Sequence, residues 1–317
     1  MKICVLDVAT LGADLDLSPL SAVGEVTYYD TTPPHLVRER IAGQDVVVIN
    51  KIKINADTLP EGKDAPSLVC VCGTGYDNID LDVCRTRGIA VSNVVGYSTE
   101  SVTQVTVGLV LSLVTHLSAY TASTADGSYT HGGCANCLIP PYHEISGMTW
   151  GILGAGRIGS RVAEVALALG CNVLTCRRHP DGQSVDLDTL LSNSDIITVH
   201  TPLTPETRGL IGKEAISKTK RGVVIVNMAR GAVTDEAALA EAVLSGHIGG
   251  LGADVFSVEP FPEDHPFFVL RNHPAVLLTP HMSWGAYESR ARCLAEVAKN
   301  IMAFARGEKR NRVDLIR

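Results

Sequence analysis

The features this sequence lacks narrow the field first. No apolar stretch approaches the roughly 20 residues that a membrane-crossing helix needs. The opening residues, M-K-I-C-V-L-D-V, hold one lysine and a short strand-like run, without the length or cleavage site of a secretory leader. The expected location is therefore cytoplasmic. Positive charge is in deficit: 27 Lys and Arg against 34 Asp and Glu leave a net charge of −7, which argues against nucleic acid or an anionic membrane as the main partner. Low-complexity runs are absent. Nine cysteines are an odd number, and Cys4, Cys70, Cys72 and Cys171 stand in apolar segments, as small buried hydrophobes in a reducing compartment would. Cys134 and Cys137 form a C-x-x-C, and His131 and His143 could be added to make a zinc set. The spacing matches no common structural zinc pattern, and a redox motif would open a helix after a strand. No metal is expected, and the pair reads as two loop thiols.

What is present is a globular composition. The 317 residues are 45% hydrophobic and 19% charged, which suits two domains of ordinary size. The chain is organised around Thr149–Gly159, T-W-G-I-L-G-A-G-R-I-G. An apolar run, Trp150–Leu153, reads as a buried strand. It meets Gly154, Gly156 and Gly159 in G-x-G-x-x-G spacing, and a helical pattern follows with Ile158, Val162, Val165 and Leu169 on one face. The three glycines serve different ends. Gly154 makes a tight turn, Gly156 leaves backbone open to a pyrophosphate, and Gly159 allows close helix-to-strand packing. The helix start then offers unpaired N–H groups to phosphate.

Residues 1–98 alternate strands with helices. The strand candidates are Ile3–Asp7, Glu25–Tyr29, Val46–Asn50, Ser67–Cys72 and Ile89–Asn93, with helical patterns such as Leu36–Ile41 and Leu81–Arg87 between them. Such alternation implies a parallel sheet with right-handed crossovers. After the fourth strand, Gly73, Thr74 and Gly75 place backbone N–H groups where they could hold a carboxylate. Lys51, at the end of the strand before, could add charge. Ser101–Tyr120 is apolar nearly all round and is expected as one buried helix, between domains or at a subunit contact. Asp126–Gly147, rich in Gly, Pro and Ser, is expected to form an arm. From Trp150 the alternation repeats with strand candidates Trp150–Leu153, Asn172–Cys176, Ile196–His200, Val223–Asn227, Gly250–Val255 and Val276–Thr279. A last helix, Glu288–Ala305, is expected to return to the first domain.

In an open α/β sheet ligands bind beyond the carboxyl ends of the strands. Three reactive side chains follow successive strands there: Arg230, Glu259 and His281. Separately each is unremarkable; together, on the edge facing a nicotinamide, they form an acid–base site with an anion clamp. His200 also ends a strand, but the Pro202-x-x-Pro205 that follows suggests the adenine side.

The ordered segments G-A-G-R-I-G, H-T-P-L-T-P-E-T, N-M-A-R-G-A-V-T-D-E-A-A-L, A-D-V-F-S-V-E-P and T-P-H-M-S-W, with C-G-T-G-Y-D-N-I-D earlier, resemble the D-isomer-specific 2-hydroxyacid dehydrogenases. The resemblance runs over nearly the whole chain. Y-S-T-E-S-V from Tyr97, Gln104 where many members have Glu, and Trp284 make it most similar to the glycerate dehydrogenase and hydroxypyruvate (glyoxylate) reductase branch. The resemblance implies an α/β fold of two open parallel-sheet domains. A Rossmann dinucleotide-binding domain, residues 99–284, would be inserted in a flavodoxin-like substrate domain, residues 1–98 plus 285–317. It further implies a homodimer, a small 2-keto or 2-hydroxy acid as substrate, and a substrate site in the interdomain cleft.

Carried onto matching positions, the resemblance implies that Arg230 grips the substrate carboxylate and carbonyl and that His281 donates a proton to the carbonyl oxygen. Glu259 would pair with His281 and raise its pKa, and Asp254 would orient the nicotinamide carboxamide. Lys51, Gly73, Thr74 and Gly75 would meet the substrate. Gly154, Gly156, Arg157, Ile158, Gly159, Arg177, Arg178, His200, Pro202, Thr207, Met228 and Ala229 would line the cofactor, together with Arg230, Asp254 and His281. One departure matters. An NAD-preferring chain carries an acid about twenty residues past the glycines, whereas this one reads T-C-R-R, ending in Arg177 and Arg178. NADP is therefore favoured and NAD remains possible, the bland alternative being a surface basic pair. From another functional class, a dinucleotide-sensing binding protein resembling the family's corepressor relatives stays open.

Overall fold

The computed structural model describes residues 1–179 and 182–315. The chain divides into two compact units, Met1–Ser98 with Gly285–Arg317, and Thr99–Trp284.

In the first unit, short apolar runs become β1 (Lys2–Val5), β2 (Glu25–Tyr28), β3 (Val46–Ile49), β4 (Leu68–Val71) and β5 (Ala90–Ser92). All pair in parallel, in the order β2-β1-β3-β4-β5. This is the flavodoxin-like order, in which the chain steps outward once and then doubles back across its first strand. Every residue of β3 and β4 is buried, as expected for central parallel strands covered on both faces. The helix Tyr287–Ala305 belongs to this unit and buries Cys293, Leu294, Val297, Ala298 and Ile301 along one face. Asn300 on it donates to the Asn93 carbonyl at 2.9 Å, which ties the end of the chain to the end of β5.

The second unit holds β6 (Thr149–Leu153), β7 (Asn172–Cys176), β8 (Ile196–Val199), β9 (Val223–Asn227), β10 (Ile248–Ala253) and β11 (Val276–Leu278). They too are all parallel, in the order β11-β10-β9-β8-β6-β7. One strand, β7, lies beyond β6, where the common dinucleotide-binding sheet has two. The reversal of strand order falls between β6 and β8, so the crevice for a ligand opens over Gly154 and His200. One face of the sheet is covered by Val102, Leu109, Val110 and Leu113 with Val162 and Ala166. The other is covered by Leu190, Leu191, Ile216, Leu239 and Val243.

The expected single helix over Ser101–Tyr120 is corrected. Thr99–Val114 and Leu117–Ala125 are separate helices bent by 69°. The chain breaks at His116, whose φ of 52° lies in the left-handed region that a helix cannot continue through. Only the first helix buries its apolar side chains, against the sheet; Leu117–Ala125 buries none. The segment after it stays outside the core, with Leu138 69% and Ile139 80% exposed. Among the described residues no single helix is long and apolar enough to cross a membrane, and no cluster of metal-ligating side chains occurs.

Candidate active site

The glycine loop fits a dinucleotide. Gly154 has φ of +95°, and a Cβ there would lie 2.6 Å from the Thr201 nitrogen and 2.8 Å from the His200 carbonyl carbon. Any side chain would wedge β6 from β8 at the point where the crevice opens. A Cβ at Gly159 would collide with the Gly154 carbonyl oxygen, so glycine lets the helix Arg157–Ala168 press on the strand end. At Gly156 an added Cβ meets nothing, which leaves its backbone approachable. Gly156 caps that helix with no side-chain bond, so the first-turn N–H groups are available to an anion.

His200 supplies an independent sign. Both of its ring nitrogens are buried with no hydrogen-bond partner. Burial pushes its pKa down to about 3, so the ring is neutral and carries one donor and one acceptor at the mouth of the crevice. An orphaned polar pair of this kind is costly unless a bound group meets it. Arg177, half-buried, and Arg178, exposed, follow β7. Thr207 closes the Pro202–Thr207 turn on itself, its hydroxyl donating to the Pro202 carbonyl at 2.7 Å and accepting from the Thr204 N–H at 2.7 Å.

The candidate acid–base residues stand on the next strand ends. Met228 and Ala229, both buried, lead from β9 to the half-buried Arg230. The Asn227 side chain fixes this corner: its amide donates to the Arg230 carbonyl at 3.0 Å and its oxygen accepts from the Ala229 N–H at 3.0 Å. Beyond β10 and β11, Glu259 and His281 meet, with His281 Nδ1 and Glu259 Oε2 2.6 Å apart. Their side chains are 30% and 21% exposed, so the pair is sheltered and still reachable. The other Glu259 oxygen accepts the Phe256 N–H at 3.0 Å.

Asp254 anchors the turn that carries His281. It is fully buried, and it accepts from the Thr279 hydroxyl at 2.6 Å, the Met282 N–H at 2.9 Å and the Ser283 N–H at 2.9 Å. The Trp284 indole N–H donates to the His281 carbonyl at 2.9 Å. His281 itself has a φ of 52°, an unusual conformation for a non-glycine residue that the surrounding bonds impose. With three donors already on it, Asp254 serves this turn first.

In the first unit, the Gly73–Gly75 loop is tethered to the segment after β5. The Thr74 hydroxyl donates to the Val94 carbonyl at 2.9 Å, and the Asn93 amide donates to the Thr74 carbonyl at 2.8 Å. Lys51 is exposed, and its backbone N–H donates to the buried Asp7 carboxylate at 2.6 Å. Burial raises the Asp7 pKa, against the backbone donors that lower it.

With this geometry in hand, comparison with known proteins decides the family. Residues 107–283 match the model of the D-isomer specific 2-hydroxyacid dehydrogenase NAD-binding domain. The chain belongs to that family. It is 36% identical to a glycerate dehydrogenase of Methylorubrum extorquens, over 90% of this chain and 91% of that protein. It is 35% identical to a hydroxypyruvate reductase of Blautia hydrogenotrophica, over 99% of this chain and all of that one. Among solved structures it resembles a D-lactate dehydrogenase of Aquifex aeolicus complexed with NAD and lactic acid, with a TM-score of 0.82, 29% identity, and 97% and 96% of the two chains covered. This 2-hydroxyacid dehydrogenase is thus an NAD-binding oxidoreductase built of two parallel-sheet α/β units.

Sequence reasoning missed a second Glu–His pair in the same unit. Glu236 Oε2 lies 2.9 Å from His265 Nε2, with the side chains only 6% and 4% exposed. Asp235–Glu236 is legible as a helix start. That Glu236 turns away from solvent depends on packing that no local pattern carries.

Proposed function

We propose that this dehydrogenase exchanges hydride between a nicotinamide cofactor and a short 2-keto acid or its D-2-hydroxy acid, with hydroxypyruvate or glyoxylate favoured. The observation that carries the reading is the sheltered Glu259–His281 pair at 2.6 Å, on the carboxyl edge of an NAD-binding sheet. The cofactor, when bound, supplies the hydride. Its pyrophosphate would meet the open Gly156 backbone and the first-turn N–H groups that follow it, with Arg157 and Ile158 in that turn, while Gly154 and Gly159 give the loop its turn and its close helix packing. His200, Pro202 and Thr207 stand toward its adenosine, and Met228 and Ala229 toward its nicotinamide.

The protein's own residues perform the rest. Glu259 accepts the Nδ1 proton of His281, which fixes ring orientation and tautomer and assigns Nε2 to move a proton to or from the substrate oxygen. Arg230 clamps the carboxylate and carbonyl through paired N–H groups, holding the reacting carbon in place. Asp254 and Trp284 keep the His281 turn from moving. Lys51 and the Gly73–Gly75 loop of the first unit are assigned to the substrate carboxylate.

Arg177 and Arg178 favour NADPH over NADH. A guanidinium can bond the 2′-phosphate bidentately where an acidic residue would repel it. A charge-assisted bond is worth about 1.5–3 kcal/mol, and solvent exposure reduces this to a preference of about tenfold or more. The assembly is assigned as a homodimer. The exposed Leu138, Ile139 and Tyr142 support that reading, and sedimentation tests it.

A panel of 2-keto acids offered with NADPH and with NADH, followed by absorbance of the reduced cofactor, tests the whole. Turnover of the short acids is expected. Tight cofactor binding with no turnover on any acid would favour a dinucleotide sensor instead.

A further inference from the structure

Glu236 is the first residue of the helix Glu236–Leu244, yet it is buried, 7% exposed. Its carboxylate accepts the Ser257 N–H at 2.8 Å, the Ser257 hydroxyl, and His265 Nε2 at 2.9 Å. The other His265 nitrogen, Nδ1, accepts the Phe267 N–H at 3.1 Å. Because Nδ1 accepts, the ring proton sits on Nε2 and points at Glu236. Both nitrogens of His265 are thereby used within the protein, so this imidazole has no nitrogen to offer a substrate. The ring lies stacked on Phe261, with centroids 4.9 Å apart, and edge-on to Phe267 at 5.4 Å.

All these bonds converge on one short piece of chain. Ser257 stands two residues before Glu259, and the neighbouring Phe256 N–H is the donor to Glu259 Oε1 at 3.0 Å. From below, Gly231 presses on the same piece: a Cβ there would collide with the Phe256 carbonyl carbon and the Ser257 nitrogen. Gly231 directly follows Arg230. The Phe256–Ser257 peptide is thus clasped between the Arg230 corner and the Glu236 carboxylate, and Glu259 folds back onto it.

Stability alone does not explain a buried carboxylate, since an apolar replacement of similar shape is often as stable or more so. A fully satisfied buried network does fix one geometry. The structure assigns Glu236, with His265 and Ser257, as the positioning residues that set where Glu259 holds the His281 ring. This rests on the reading of Glu259 and His281 given under Proposed function.

The test is a double-mutant cycle between Glu236→Gln and Glu259→Gln on the intact enzyme. Glu236→Gln keeps the size but sets an amide among three donors. It is expected to lower kcat for 2-keto acid reduction by about ten- to a hundredfold, as losses of supporting hydrogen bonds do, with KM for cofactor and keto acid little changed. In the Glu259→Gln background the same change is expected to cost almost nothing more. Ser257→Ala, which removes one hydroxyl, should show the same non-additivity with a smaller loss, and it decides the matter if Glu236→Gln does not fold. An equal loss in both backgrounds, or an unchanged kcat, overturns the assignment. If the wild type reduces no 2-keto acid, it is the functional reading that has failed. The carbon–proton resonance of the His281 ring then decides placement without turnover: displacement in both variants supports it, and an unmoved resonance in both overturns it.

Discussion

The second unit contains the same residue pair twice, with opposite consequences. Glu236–His265 and Glu259–His281 are both glutamate–histidine hydrogen bonds, at 2.9 and 2.6 Å. In the first the glutamate takes Nε2, a backbone N–H occupies Nδ1, and the aromatic rings of Phe261 and Phe267 close over the imidazole. In the second the glutamate takes Nδ1 and the ring stands partly exposed on a turn bound by Asp254. Residue type therefore does not decide which imidazole performs chemistry. On the proposed reading, which nitrogen the carboxylate claims, and how much solvent reaches the ring, separates a scaffold from an acid–base group.

Mutation can set the two pairs apart. The largest effect expected outside the histidines is from Arg230→Gln, which removes the fork proposed to hold the substrate. A loss of about a hundredfold in kcat/KM for keto acids, with cofactor affinity retained, is expected from misplacement of the reacting carbon. A loss confined to cofactor binding would move Arg230 out of the substrate site. Glu259→Gln comes next. An amide cannot order the Nδ1 proton as a carboxylate does, and kcat should fall about ten- to a hundredfold. If kcat is unchanged, the more exposed pair takes no part in the proton transfer.

Arg177→Asp tests the proposed choice of cofactor. It should reverse an NADPH preference of about tenfold, by removing one guanidinium and adding repulsion. Comparison of kcat/KM for the two cofactors at moderate salt reads this out, because added salt screens the effect. An NADH preference in the wild type would leave Arg177 and Arg178 as a solvated pair. The smallest effect is reserved for Asp235→Ala. Asp235 caps the helix that begins with Glu236, accepting from the Ala237 and Ala238 N–H groups at 3.1 and 3.0 Å. Losing that cap should cost about 1 kcal/mol of stability, measured by denaturant unfolding, and should move kcat far less than Glu236→Gln.

Much of the fold is legible in the sequence because it is written locally. The apolar runs set the strands to within a residue or two, and the G-x-G-x-x-G spacing locates the crevice. Arg230, Glu259 and His281 stand out as candidates because each follows a strand whose carboxyl end is the ligand side of such a sheet, and the structure brings Glu259 and His281 together. The misses are non-local. The apolar run through His116 reads as one helix, and only its left-handed backbone reveals the bend. The strand order, with β7 alone beyond β6, depends on a crossover that sequence pattern does not encode. Asp254, read as a cofactor contact, also accepts three hydrogen bonds from the His281 turn, which no local pattern announces. The Glu236 network joins residues more than twenty positions apart through packing alone.

The most direct measurement sets His281→Ala beside His265→Ala, with keto-acid turnover, cofactor affinity and unfolding midpoint taken for both. For His281→Ala the expected result is a loss of roughly 10²–10⁴-fold in kcat, with cofactor affinity and midpoint close to wild type. For His265→Ala it is a clear loss of stability and a smaller loss of turnover. Turnover within a few-fold of wild type in His281→Ala, or the larger catalytic loss in His265→Ala, would contradict the assignment of the exposed pair to the chemistry and the buried pair to its support.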